Sequence, residues 1–585
     1  MSESLERRLE RLELLYEVGI ALSAEDDKDR LVERILLEAK KLCNADGGTL
    51  YLRTEDDQLR FAIMRTDSLG IALGGTTGKP IEFAPLPMFA KSGAPNEHNI
   101  ATCAALRKES FNIPDAYDAT GFDFSGTKRF DDEAGYRSQS FLTIPMVNHQ
   151  DRVIGVLQLL NAKDPETGAV VPFREEEQRI VEALASQAAV ALDNQLLLEG
   201  QKALLEAFIQ MIAAAIDSKS PYTGAHCERV PVLTLMLAQA AVAADEGPFA
   251  EFTLTEEEWY ELKIAAWLHD CGKVTTPVHV MDKATKLETI FDRIEMVKTR
   301  FEVLKRDAKI RMLEAQLEGD EEAKARFQRE IAALDEDREF LVHANVGSEF
   351  LSDEAKERIH AIGARQYVEG KLKRALLDED EIENLCISRG TLTEEERLII
   401  NGHMVQTIQM LEALPFPRNL RRVPEYAGGH HEKMDAKGYP RGMHAGDMSV
   451  PARIMAIADV FEALTAQDRP YKKGKTLSES MRILSFMKRD NHLDPELLDL
   501  FVRSGVYKDY AEKYLPDSLI DEVDEESILT TQPKAFEDLE EGLRARRKRT
   551  FLPEYEPLRR SVMGETRDGD EPDMPEQIRE AAKSA

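Results

Sequence analysis

The sequence predicts a multidomain protein in which an α+β domain is joined by a long linker helix to an all-α domain with an inserted helical arm. Three observations predict it. Short apolar runs between residues 28 and 162, separated by polar and Gly/Pro stretches, read as strands. Residues 174–217 hold no Gly or Pro except Gly200 and read as one helix. From 218 to about 520 the strand signals vanish, and helical periods with short breaks take over.

Residues 1–25 are read as an amphipathic helix, because Leu5, Leu9, Leu12, Leu15 and Ile20 recur at helical spacing among Glu and Arg. The α+β domain is placed at 26–173. It opens with a helix over Asp29–Leu42 and continues through "GTLYLR", "LRFAIM", "SFLTIPMV" and "RVIGVLQLLNA"; the last two flank "NHQD", a hairpin signal. In the linker, 174–217, the residues Ile180, Leu184, Ala188, Ala191, Leu196 or Leu198, Leu205 and Ile209 alternate near three and four. That spacing suits a seam pairing with a second copy, or equally a face docked on its own domain, and a homodimer is expected. The all-α domain spans 218–520, with the densely charged 284–389 as an inserted arm. Residues 521–585 turn acidic, then basic ("RARRKR"), then polar, and are expected to be disordered.

A formal charge of -32 excludes general attraction to nucleic acid polymers or anionic membranes, so an anionic substrate needs a local cationic pocket. The five cysteines are scattered without CxxC spacing, which argues against a disulfide framework or zinc knuckle. The first residues lack the apolar run of a signal peptide, and no window of about 18 residues is free of charge. A cytoplasmic location is expected.

Of the twelve histidines, His226, His269, His403, His430 and His431 fall in the helical half beside other ligand types. "AAWLHDCGKV" ends an apolar helix in His269 and Asp270, neighbours that reach one object only if it is compact. Asp459, in "ARIMAIADVFEALT", is costly to bury without a positive partner. Seven N and O ligands exceed what one tetrahedral ion needs. With Asp270 bridging, they suit two divalent cations; iron or manganese leads, and zinc, cobalt, nickel and magnesium are the other candidates.

These residues, through "HDCGK" (269–273), "HHEKMDAKGYP" (430–440), "ADVFEALT" (458–465) and "DRPYKK" (468–473), resemble the HD superfamily of metal-dependent phosphohydrolases, and more closely its HD-GYP branch. The resemblance implies hydrolysis of the cyclic dinucleotide cyclic di-GMP to linear pGpG and/or GMP. His226, His269, Asp270 and Asp459 would hold one ion, and Asp270, His403, His430 and His431 the other. Asp270 and Lys273 would serve catalysis; Lys273, Tyr439, Arg469 and Lys472 would contact substrate. Three departures stand out: Ala436 replaces a usual Gly, Arg300 stands where the histidine delivered here by His403 is normally found, and Tyr222 replaces the Glu of trinuclear members. The rival readings are an HD hydrolase of another cyclic dinucleotide or nucleotide and a non-catalytic scaffold binding nucleotide or a partner protein.

The N-terminal domain resembles GAF sensor domains through "FNIPDAYD" (111–118), "FDDEAGYRSQSFLTIPMVN" (130–148) and "VIGVLQLLNAKD" (153–164). The resemblance implies a cyclic nucleotide or other small ligand, contacted by Asp115, Arg137, Asn161 and Lys163.

Overall fold

The computed structural model describes residues 16–219, 226–347, 350–466 and 474–562. It divides into two compact units, Met1–Leu205 and Glu206–Ala585. Arg469, Lys472 and Tyr222 lie outside the described residues, as does the first part of the expected N-terminal helix.

In the first unit, Asp27 caps helix Lys28–Leu42 by accepting from Arg30 N. The helix buries Leu31, Val32, Ile35 and Leu36. The main strands are β1 (Ala45–Arg53), β2 (Gln58–Thr66), β3 (Ile71–Gly74), β4 (Leu86–Pro87), β5 (Phe111–Ile113), β6 (Phe141–Val147), β7 (Val153–Lys163) and β8 (Val170–Val171). They form an antiparallel sheet of order β3-β2-β1-β7-β6-β5, with β4 on β2 and β8 on β7. The expected β6–β7 hairpin is present. Asn148 closes its turn, its side-chain oxygen accepting from the amides of Gln150 and Arg152.

The linker helix runs Glu175–Lys219. Val181, Leu184, Ala185, Ala188 and Leu192 join the core formed by Ile35, Leu36, Leu157 and Leu159. Full burial of each large side chain contributes about 1.5–3 kcal/mol. This corrects the expected seam, since Leu184 and Ala188 face their own domain and Ile209 is buried in the second unit's core. The exposed apolar positions are instead Val190, Leu197, Leu204 and Met211, every seventh residue, flanked by Leu198, Leu205, Phe208 and Ile212.

The second unit is built on a core that joins Ile209 and Ile216 of the linker to helices His226–Val242, Glu256–Leu268 and Val450–Thr465. The inserted arm forms its own core around Val297, Phe301, Leu334, Leu341 and Leu385. Its hairpin of helices, Ile294–Leu317 and Ala323–Asn345, is tied by Lys305–Asp335 and Arg311–Glu330 ion pairs. Two corrections follow. The arm carries a short hairpin, β9 (Gln366–Glu369) with β10 (Leu372–Ala375), where no strand was expected. The segment after 520, expected to be disordered, forms helices Glu525–Thr530, Glu541–Arg547 and Glu556–Val562 in its described part, and it buries Ile528, Phe551 and Tyr555.

Candidate metal centre

Each of the seven singled-out side chains stands at or inside a helix. His226 opens helix His226–Val242, and His269 is the C-cap of Glu256–Leu268. Asp270 leads into the short 3-10 turn Cys271–Thr275. His403 opens His403–Ala413, His430 and His431 follow Val423–Gly428, and Asp459 lies within Val450–Thr465.

Gly272 lets this assembly close. A Cβ there would lie 2.0 Å from the carbonyl oxygen of His403 and 2.5 Å from Thr407 N, so only glycine admits such an approach. Its own amide donates to Thr407 Oγ1 at 2.9 Å.

The structure brings all seven together in two groups. In each, the potential ligand atoms lie within 4.8 Å of one another: His226, His269, Asp270 and Asp459 in one, and Asp270, His403, His430 and His431 in the other. Asp270 belongs to both. Its Oδ2 lies 3.6 Å from His226 Nε2 and 3.2 Å from His269 Nε2, and its Oδ1 lies 3.2 Å from His403 Nε2. Asp459 Oδ1 is 3.3 Å from His226 Nε2 and 3.7 Å from His269 Nε2.

Helix ends fix how three of the rings face. The last carbonyls of a helix have no partner within it, and at three such ends one of them accepts from a histidine Nδ1 three residues on. These are Ala266 to His269 (2.8 Å), Ile400 to His403 (2.5 Å) and Ala427 to His430 (2.6 Å). With Nδ1 donating, Nε2 presents its lone pair, the form in which imidazole binds metal. The Nε2 atoms of His269, His403 and His430, and Asp270 Oδ1, are buried with no hydrogen-bond partner. Unpartnered buried acceptors facing one another are unfavourable unless a cation joins them, so the donor set fits divalent ions.

Electrostatics agree. Burial opposes protonation of His269, yet Asp270 and Asp459 outweigh it and hold its pKa up at about 9. His226 is likewise raised against burial by Asp270, Asp459 and Glu462. The pocket calls for positive charge. His430, desolvated and beside His269, is held down at about 4 and stays neutral.

His226 is oriented differently. Its Nδ1 meets Glu462 Oε2, and Arg229 Nε donates to the other oxygen at 2.5 Å. Glu462 was missed in the sequence, although it sits one turn after Asp459 in the same apolar helix and poses the same burial problem. Lys219 was missed too. At the linker's end its ammonium donates to the carbonyls of Lys273, Val274 and Thr276, in the turn that follows Asp270 in sequence.

Lys273 donates to Asp270 Oδ2 at 2.5 Å and is mostly buried. Tyr439 stacks on His431 at 4.8 Å and 17°. Gly438 is fixed by close approach, since a Cβ would fall 2.3 Å from Lys433 N. Buried Glu432 accepts from the amides of Arg441 and Met443, both at 2.8 Å, and closes the loop. Arg300 donates to Leu376 O and Glu381 within the arm, leaving His403 as the histidine at the site. Cys227 and Cys271 are buried, and burial pushes the Cys271 thiol up to about 12, which makes both small core residues rather than reactive thiols.

In the N-terminal domain the four residues expected to contact a ligand are linked by hydrogen bonds and ion pairs within the fold, directly or through Tyr136 and Asp46. Asn161, buried at φ 55°, accepts from the amides of Gln139 and Ser140 and donates to Tyr136 Oη and Arg137 O. Lys163 donates to Asp46 and Ser68. Asp115 and Arg137 pair at 3.4 Å, with Arg137 over the Tyr117 ring.

Comparison with known proteins matches residues 27–192 to the GAF domain family and 380–497 to the HD domain family. The HD match begins beyond His269 and Asp270, on the far side of most of the arm. A 3'3'-cGAMP-specific phosphodiesterase of Vibrio cholerae is 39% identical over 123 residues, 21% of this chain and 28% of the relative. A cyclic di-GMP phosphodiesterase of Pseudomonas aeruginosa is 33% identical over 151 residues, 25% of this chain and 35% of the relative. The matched stretches thus span about a third or less of these relatives. The GAF domain of an Acinetobacter phosphoenolpyruvate-protein phosphotransferase aligns at 14% identity and TM-score 0.24, covering 32% of this chain and 97% of that one. No helix among the described residues is long and apolar enough to cross a membrane.

Proposed function

From a chain that joins a GAF domain to an HD domain, we propose a metal-dependent phosphodiesterase that hydrolyses a cyclic dinucleotide, cyclic di-GMP first, to linear pGpG and GMP under control of the GAF domain. One observation carries this reading: the carboxylate of Asp270 turns one oxygen to each of two groups of inward-facing imidazoles.

His226, His269, Asp270 and Asp459 would hold one cation, and Asp270, His403, His430 and His431 the second. Two cations of the iron or manganese type would activate water and neutralise charge on the phosphoryl oxygens. The chain's own residues supply the geometry. The three carbonyl anchors turn the Nε2 atoms of His269, His403 and His430 inward, and Glu462 orients His226 through its Nδ1. Lys273 holds Asp270 in its shared position and places an ammonium where an anionic diester arrives. Arg469 and Lys472 are assigned to the substrate phosphates, supplying the local cationic field that a chain of net charge -32 otherwise lacks.

A second substrate is favoured by one finding, the 39% identity to a 3'3'-cGAMP-specific enzyme. The test presents both dinucleotides separately to protein loaded anaerobically with iron or manganese, with products separated by chromatography. Linear dinucleotide from cyclic di-GMP is expected, and none from His269→Ala. Cleavage of 3'3'-cGAMP alone would move the assignment to that substrate, and no cleavage of either would refute the reading.

A further inference from the structure

The two-ion reading leaves one of the five histidines without a hydrogen-bonded anchor. His269, His403 and His430 are turned by backbone carbonyls and His226 by Glu462. His431, half-buried, is oriented by its stack on Tyr439. What holds Tyr439 therefore sets His431.

We propose that the C-terminal segment 536–559 is a brace that positions Tyr439 and, through it, His431; the proposal rests on the two-ion reading above. Tyr555 stacks on Tyr439, ring centroids 6.1 Å apart at 28°. Leu552 N donates to Pro440 O at 2.8 Å. Arg547 Nη1 donates to the carbonyls of Ala436 (3.1 Å) and Gly442 (2.8 Å), spanning the two sides of the Gly-Tyr-Pro loop. Arg544 and Lys548 pair with Asp447, and Asp538 with His444, just beyond that loop.

The brace also reaches the element that carries His403. Phe551 and Tyr555 are buried in a cluster with Val405 and Ile408, and Asn401 Nδ2 donates to the Tyr555 hydroxyl at 3.2 Å. The contacts of Arg547, Leu552, Phe551 and Tyr555 fall on the loop that follows His431, on helix His403–Ala413 and on Asn401 just before it. None of these brace residues supplies a ligand atom to either group, so the role is positional, comparable to the outer partners that orient metal-bound histidines.

The asymmetry is the testable part. Manganese is titrated into the full chain, with bound metal read by equilibrium dialysis and elemental analysis. Wild-type protein is expected to bind two ions. Tyr555→Ala should leave one ion's affinity unchanged and weaken the other about tenfold. Tyr555→Phe, which keeps the stack and loses only the Asn401 contact, should bind like wild type. Arg547→Met should weaken the same ion, and it carries the test if a thermal melt shows Tyr555→Ala to be unfolded.

Equal affinities in wild type, Tyr555→Ala and Arg547→Met would overturn the brace while leaving the two-ion reading intact. A Tyr555→Phe variant as weak as Tyr555→Ala would overturn the stacking route. Fewer than two ions on wild-type protein would refute the two-ion reading, and the brace with it.

Discussion

Ala436 and Gly272 sit on opposite sides of the same constraint, the need for unusual backbone beside the ligands. Ala436 adopts φ 62°, a left-handed conformation that costs a residue with a Cβ about 1–2 kcal/mol. Ala436→Gly should raise stability by up to about 1 kcal/mol once glycine's added unfolded-state freedom is subtracted, seen as a higher melting temperature. A lower one would contradict the strain. Gly272→Ala should do the reverse, destabilising by about 3 kcal/mol and displacing His403, because its Cβ meets backbone rather than a flexible side chain. A melt unchanged by this substitution would refute the close approach. At this scale the ligands were legible because few residue types bind metal and seven of them recur among apolar helices. Glu462 and Tyr555 were not, since a glutamate on a helix or a tyrosine in a charged tail has no meaning until its neighbour is known.

Among the elements, the linker helix shows where periodicity stops informing. Both of its apolar faces repeat near three and four, and nothing in the spacing says which one meets its own domain. The structure gives Leu184 and Ala188 to the domain and leaves Val190, Leu197, Leu204 and Met211 exposed in a heptad row. A row of that spacing is the kind of face that would pair with a second copy. Leu204→Glu should convert a dimer to a monomer in sedimentation experiments, whereas a monomeric wild type would refute the seam. The β9–β10 hairpin escaped notice because its strands are four residues each and largely exposed, with little apolar alternation to read. The C-terminal brace was hidden by composition: dense charge reads as disorder, while a few well-placed aromatics, Phe551 and Tyr555, do the anchoring.

For the whole molecule, domain order and class were readable from the chain because motif runs as long as "HHEKMDAKGYP" specify chemistry beyond fold. The arm was legible as an interruption, since the histidine expected near Arg300 arrives only at His403. How the groups converge was not, because convergence depends on packing that brings residues more than 230 positions apart into contact, as between His226 and Glu462. Asp270 is the one residue common to both groups. The most direct test of that sharing is the divalent-metal content of the purified, manganese-loaded chain beside its Asp459→Ala and Asp270→Ala variants. Two ions on wild type, one on Asp459→Ala and fewer than one on Asp270→Ala are expected. A single ion on wild type, or a full pair retained by Asp270→Ala, would contradict it.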